Sequence, residues 1–121
     1  MCVPKIMLAP YTDTTLFPTF DISLAPVNYF CLGFIVSDND GDPSWGGHYK
    51  IKSDFYLDKI AAVRKRGGDV IVSFGGAAGT EIATNTESAT ALYKKYASVV
   101  DRYDLNAIDL DIEGPALLDR T

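Results

Sequence analysis

Asp109, Asp111 and Glu113 occupy alternate positions of the segment Asn106-Ala107-Ile108-Asp109-Leu110-Asp111-Ile112-Glu113. Side chains alternate across a β-strand, so this spacing projects three carboxylates from one face and Ile108, Leu110 and Ile112 from the other. Carboxylates about 6.6 Å apart along a strand repel one another and lose hydration unless one of them holds a proton. A carboxyl kept protonated near neutral pH is a general acid, and its conjugate base can later take a proton back from water. Two plainer readings compete. An exposed, merely acidic edge strand fits poorly with the Ile-Leu-Ile face, which predicts a central strand packed under helices. A metal site lacks a nearby His.

Upstream, Ser73-Phe74-Gly75-Gly76 closes another apolar run, with Ala77-Ala78-Gly79-Thr80 after it. Paired glycines at a strand end admit backbone or ligand where a Cβ would clash. A phosphate cradle is not indicated: GxGxxG and the Lys of GxxxxGK[ST] are both missing, and Glu81 would repel an anion. His48, the single histidine, reads as a solvated loop residue. Asp38, Asp40 and Asp42 suggest a calcium loop, but the sixth position from Asp38 is Pro43 and the twelfth is Tyr49, which excludes an EF-hand and leaves a polar turn.

Strands and helices alternate around these motifs. Lys5–Tyr11 is a short apolar run closed by Thr12–Thr15, and Tyr29–Val36 has the composition of a strand buried on both faces. Ser53 or Asp54 can cap a helix to about Arg66, with Tyr56, Ile60 and Val63 on one face and Gly67-Gly68 at its end. Asp69–Phe74 follows as a strand. Thr86 can cap a second helix carrying Leu92, Tyr96, Val99 and Tyr103 along one stripe, and Ala107–Glu113 is the last strand. Strands joined by helical crossovers imply an α/β fold with a parallel sheet and right-handed connections. The first crossover has little room for a helix, because Pro18 and Pro26 bracket it.

The chain has 121 residues, a formal charge of −5 and 47% apolar residues, enough for one folded domain and too apolar for disorder. Its few scattered Lys and Arg form no basic stripe, so nucleic acid is not an expected partner. The longest apolar run, Tyr29–Val36, falls far short of the roughly 20 residues a spanning helix needs, so no membrane is expected either. Cys2 and Cys31 make no disulfide framework and no zinc motif, and no cofactor is implied. Met1–Pro10 does not read as a signal peptide, so the sequence is taken as a mature or intracellular chain.

Ser73-Phe74-Gly75-Gly76 matches the SxGG motif of glycoside hydrolase family 18, and Asp109-Leu110-Asp111-Ile112-Glu113 matches the core of its DxxDxDxE motif. The apolar second run and Trp45-Gly46-Gly47 also resemble the second-strand region of bacterial chitinases in that family. The resemblance spans most of the chain. It implies a TIM (β/α)8 barrel whose third and fourth strands carry the two motifs. In such enzymes the residue matching Glu113 protonates the glycosidic oxygen and later activates water, while the substrate's own N-acetyl oxygen attacks the anomeric carbon and configuration is retained. The residue matching Asp111 orients the acetamide, that matching Asp109 shares a proton with it, and Ser73 supports the network. Chitin or N-acetylglucosamine oligosaccharide is the implied ligand. The implied binding positions are Tyr11, Ser73, Gly75, Gly76 and Trp45; Tyr11 and Trp45 would offer aromatic faces to sugar rings if they do not pack internally. Active sites of this fold lie at the C-terminal ends of strands, where Tyr11, Gly75-Gly76 and Glu113 are expected. The family's first motif Asp is Asn106 here, a change expected to touch local packing or charge. Members of the family are secreted.

A whole barrel takes about 250 residues, so residues 1–121 are expected to form a parallel (β/α) half-barrel, the first four strands as one partial domain. Two open edges and an apolar interior favour pairing of two copies. An inactive, self-associating half-barrel that binds chito-oligosaccharides weakly is the alternative to an active hydrolase.

Overall fold

The computed structural model describes residues 7–16 and 21–118. Six strands form one sheet: β1 (Tyr11–Asp13), β2 (Tyr29–Ser37), β3 (Pro43–Trp45), β4 (Tyr49–Lys50), β5 (Asp69–Gly75) and β6 (Ile108–Asp111). Two helices, α1 (Leu57–Lys65) and α2 (Ala89–Tyr103), link β4 to β5 and β5 to β6. β1, β2, β5 and β6 lie side by side in chain order and all run parallel. The expected parallel sheet is thus present, but an antiparallel hairpin, β3–β4, is added to it. β2 is long enough for β1 to pair with Cys31–Gly33 and β3 with Ile35–Ser37 along one edge, while β5 pairs with Tyr29–Leu32 and Ile35 on the other. The polar turn of Asp38, Asp40 and Asp42 is the connection into that hairpin.

The period of two along β2 is broken between Leu32 and Ile35 by a register shift against β5. An inserted residue reverses the phase of the pleat. Phe30, Leu32 and Ile35 therefore all face the helices, while Phe34 and Val36 face the other side. β5 keeps regular alternation, with Val70, Val72 and Phe74 in the core and Ser73 opposite. Ile60 and Val63 of α1 and Val99 and Tyr103 of α2 close the core over these residues. Both faces of β2 and β5 are largely buried, as their near-continuous apolar sequences require.

Several boundaries differ from the sequence reading, each for a local reason. The strand expected over Lys5–Tyr11 begins instead at Tyr11; Lys5 and Ile6 lie outside the described residues, as does Cys2. Pro10 has no N–H to donate and contributes only its carbonyl, which accepts from Cys31 N at 3.0 Å. α1 starts at Leu57 because Ser53 and Asp54 are used elsewhere. The Ser53 hydroxyl donates to Lys50 O, and Asp54 sits at φ 57° and ion-pairs with Arg102 at 2.6 Å. α2 is capped by Ser88, whose Oγ accepts from Ala91 N, while the Thr86 hydroxyl donates to Ile82 O. Between β1 and β2 the described residues hold one 3-10 turn, Ile22–Leu24.

β6 departs most from expectation. It ends at Asp111, two residues before Glu113, and it is the last strand of the sheet rather than a central one. Leu110 is 56% exposed and Ile108 and Ile112 are also open to solvent, so the Ile-Leu-Ile face has no helix over it among the described residues.

Candidate active site

Parallel pairing of β5 with β6 sets Ser73 beside Asp109 and Gly75 beside Asp111. In-register residues of adjacent strands share a face, so the Ser73 hydroxyl reaches Asp109 Oδ2 at 2.7 Å. Tyr11 OH donates to the same oxygen at 2.8 Å, and this hydrogen bond, together with partial loss of water, raises the Tyr11 hydroxyl far above its ordinary pKa. Cys31, paired in register with Tyr11, is held up to about 11 by burial and by the Asp109 charge.

Gly75 is required where it stands. Its φ is +105°, and a Cβ there would lie 2.2 Å from Asp111 O. At Gly76, φ +92°, a Cβ would press on the Phe34 ring at 3.2 Å, and Gly76 N donates to Asp111 O at 2.8 Å. The glycine pair thus admits backbone and an aromatic ring, and it fixes the end of β6. Beyond that end the chain carries Glu113 into a cleft of about 440 Å3, which is also lined by Asp13, Phe34, His48, Gly75 and Gly76. Asp109, Asp111 and Glu113 are each half-buried. The charge of Asp111, with lesser contributions from desolvation and a hydrogen bond between the two carboxyls, raises Glu113 above the usual carboxylate range. The arrangement raises the proton affinity of a carboxyl that lines the cleft.

Not every expected residue arrives here. Trp45 has no exposed surface; its Nε1 donates to Tyr103 OH at 2.8 Å and its ring meets Tyr103 edge-on at 5.5 Å. Its role as a sugar platform is corrected to that of a core residue. Tyr11 is exposed and opens β1 rather than closing it, lying nearly parallel to Phe34 with 6.4 Å between ring centroids. Asp13 and Phe34 also line the cleft and were not singled out from sequence. Asp13 ends β1, a position that by itself points to the site in a parallel sheet, whereas Phe34 turns into the cleft only through the irregularity in β2. His48, read as a solvated loop residue, is exposed yet lines the cleft.

Asn106 lies at the opposite end of β6 from Glu113. Its amide donates to Asp69 Oδ2 at 3.1 Å, where an aspartate would set carboxylate against carboxylate. Asp38, Asp40 and Asp42 bring their carboxylates together, but the Lys50 ammonium stands among them at 2.6, 3.1 and 3.7 Å, in the place a cation would take.

Comparison with known proteins bears on what this sheet and its acidic triplet belong to. The probable bifunctional chitinase/lysozyme of Escherichia coli is 36% identical over 123 residues, covering 97% of this chain and 14% of that protein. Endochitinase 11 of Metarhizium anisopliae is 38% identical over 115 residues, covering 92% and 22% respectively. The crystallised catalytic domain of a hyperthermophilic chitinase from Pyrococcus furiosus superposes with a TM-score of 0.84 at 30% identity, over 93% of this chain and 38% of that one. Catalytic-site mutants of active domain 2 of the Pyrococcus furiosus chitinase, complexed with chito-oligosaccharides, superpose at 0.81 with 29% identity over 90% of this chain and 37% of theirs. A GH18 chitinase from Pseudoalteromonas aurantia shares the fold at 0.60 with 21% identity, over 90% of this chain and 43% of that one. No family model matches. By sequence and by fold, the chain corresponds to part of the catalytic domain of a family 18 chitinase. It spans less than half the length of each of these proteins.

Proposed function

We propose that this chain carries the acid/base segment of a chitinase-type site that cleaves β-1,4-linked N-acetylglucosamine. The observation that carries the reading is the placement of Glu113 in the cleft with Asp111 raising its proton affinity. Glu113 gives its proton to the glycosidic oxygen as the bond from that oxygen to the anomeric carbon breaks. The substrate's acetamido oxygen attacks the same carbon to form an oxazolinium, and water then adds as Glu113 takes a proton back, with net retention. Asp111 accepts the acetamido N–H and stabilises the positive charge. Asp109, fixed by Ser73 and Tyr11, stands on the same face of β6 as Asp111. The Pyrococcus furiosus complexes with chito-oligosaccharides support this ligand class. Release of a chromophore from an N-acetylglucosamine oligomer tests the proposal: the chain outpaces Glu113→Gln by at least about a hundredfold, as expected for loss of a general acid, and equal rates defeat it.

The finer architecture belongs to the same proposal. β1, β2, β5 and β6 are the first four strands of a (β/α)8 barrel, and the uncovered Ile108, Leu110 and Ile112 favour a second copy pairing along β6. Light scattering then gives twice the chain mass; a compact monomer contradicts the pairing.

A further inference from the structure

A second cavity, of about 270 Å3, adjoins the cleft, and Gly76, Ala77 and Glu113 line both. Its other wall is the loop after the glycine pair, with Thr80, Glu81 and Thr84. Glu81 is 6% exposed. Its carboxylate accepts from Ala83 N and, at 3.3 Å, from Tyr96 OH, both neutral donors. Among the described residues no Lys or Arg ion-pairs with it, and the one other charged residue lining the cavity is Glu113.

A carboxylate withdrawn from water is costly unless its charge is met, and two neutral hydrogen bonds meet it only in part. Each carboxylate oxygen keeps a further lone pair for a ligand. An N-acetylated sugar offers a single amide N–H from its nitrogen, whereas a free amino group offers an ammonium with three donors and the compensating charge. We infer that Glu81 makes this cavity a subsite for an amino sugar bearing a free, protonated amine, adjacent to the bond-cleaving carboxyl. This rests on the reading of the cleft as a chito-oligosaccharide site. It adds that partly deacetylated chains are preferred, with a glucosamine unit placed against Glu81. The loop after SxGG is thereby a specificity element as well as a connection.

The test is an NMR titration of the labelled chain with N-acetylated chitotetraose and with its partly deacetylated counterpart, at a pH where the amine is charged. The partly deacetylated tetramer binds about tenfold tighter, in line with one charge-assisted hydrogen bond, and moves the Glu81 carboxyl carbon resonance. Glu81→Gln loses the preference while retaining affinity for the N-acetylated tetramer. Equal affinities, a preference that survives Glu81→Gln, or an unmoved Glu81 resonance overturns the inference. Should Glu81→Gln fail to give the parent amide spectrum, the resonance in the unaltered chain decides. Binding of neither tetramer overturns the reading of the cleft itself, whereas binding of both without preference overturns the role of Glu81 alone.

Discussion

Tyr11 on β1 donates its hydroxyl to Asp109 on β6 at 2.8 Å, although two strands lie between them. In a flat sheet three spacings of about 4.8 Å would hold the strands about 14 Å apart, with both side chains standing perpendicular and out of reach. The sheet is therefore curled towards its acidic face. Glu113, beyond the end of β6, lines the cleft on this side together with Asp13 at the end of β1. Asp109 is gripped from both sides, by exposed Tyr11 and by fully buried Ser73. Ser73→Ala leaves a carboxylate oxygen short of a donor in a closed setting and costs about 1–3 kcal/mol, while Tyr11→Phe, in water's reach, costs less than about 1 kcal/mol. Urea denaturation of the two variants ranks them; the reverse order would show that the hydroxyl of Ser73 is dispensable.

Gly75→Ala is expected to be severe. The added methyl meets Asp111 O at 2.2 Å in a backbone conformation that already disfavours L-residues, for a loss of more than about 3 kcal/mol. Gly67→Ala shares a positive φ of +93° but meets nothing within 4 Å, so its cost is about 1 kcal/mol. Thermal melting distinguishes the two, and similar melting points would refute the close approach of β5 and β6.

Asp111→Asn removes the largest influence on Glu113 and lowers the Glu113 pKa towards the ordinary carboxylate range. A carboxyl raised in the fold contributes stability that is complete below its unfolded pKa and is lost as pH rises through the folded value. The variant loses that dependence. Carbon-detected titration of Glu113 is the measurement, and an unchanged midpoint in Asp111→Asn would mean that the two carboxyls do not communicate.

Asp69 behaves in the opposite sense. Burial works against its charge, but hydrogen bonds from Val70 N, Arg64 and Asn106 outweigh it and hold the carboxyl below the usual range. Its contribution is present above the unfolded pKa of about 4 and disappears as pH falls through the folded value. Asn106→Asp exchanges a donor for a second carboxylate and destabilises the fold by about 2 kcal/mol at neutral pH. The deficit shrinks on acidification as the new carboxyl protonates. Denaturation midpoints at pH 7 and pH 4 test this; a deficit independent of pH would exclude charge repulsion as its cause.

Trp45 is the protein's single tryptophan and lies wholly inside. Its fluorescence should report unfolding and stay unchanged on adding chito-oligosaccharide. Quenching by the sugar would restore it as a binding platform. Trp45→Phe, which strips Tyr103 OH of its indole donor, should destabilise by about 1–3 kcal/mol.

Much of this architecture could be read from residue order, because the causes are local. The near-continuous apolar runs of β2 and β5, the stripe Leu92-Tyr96-Val99-Tyr103 on α2, and the alternation that puts Asp109 and Asp111 on one face follow from periods of two and 3.6 acting on neighbours in sequence. Tertiary structure decided the rest. Whether Trp45 faces sugar or core depends on Tyr103, 58 residues away, and Phe34 reaches the cleft only because pairing with β5 shifts register. Ser53 and Thr86 lose their capping roles to backbone carbonyls that a propensity cannot foresee. Glu81, whose neighbours in the chain are unremarkable, becomes a buried acid beside Glu113 solely through the path of its loop over the strand ends. Periodicity says which way a side chain points; what it meets there is set by the distant segment folded against it.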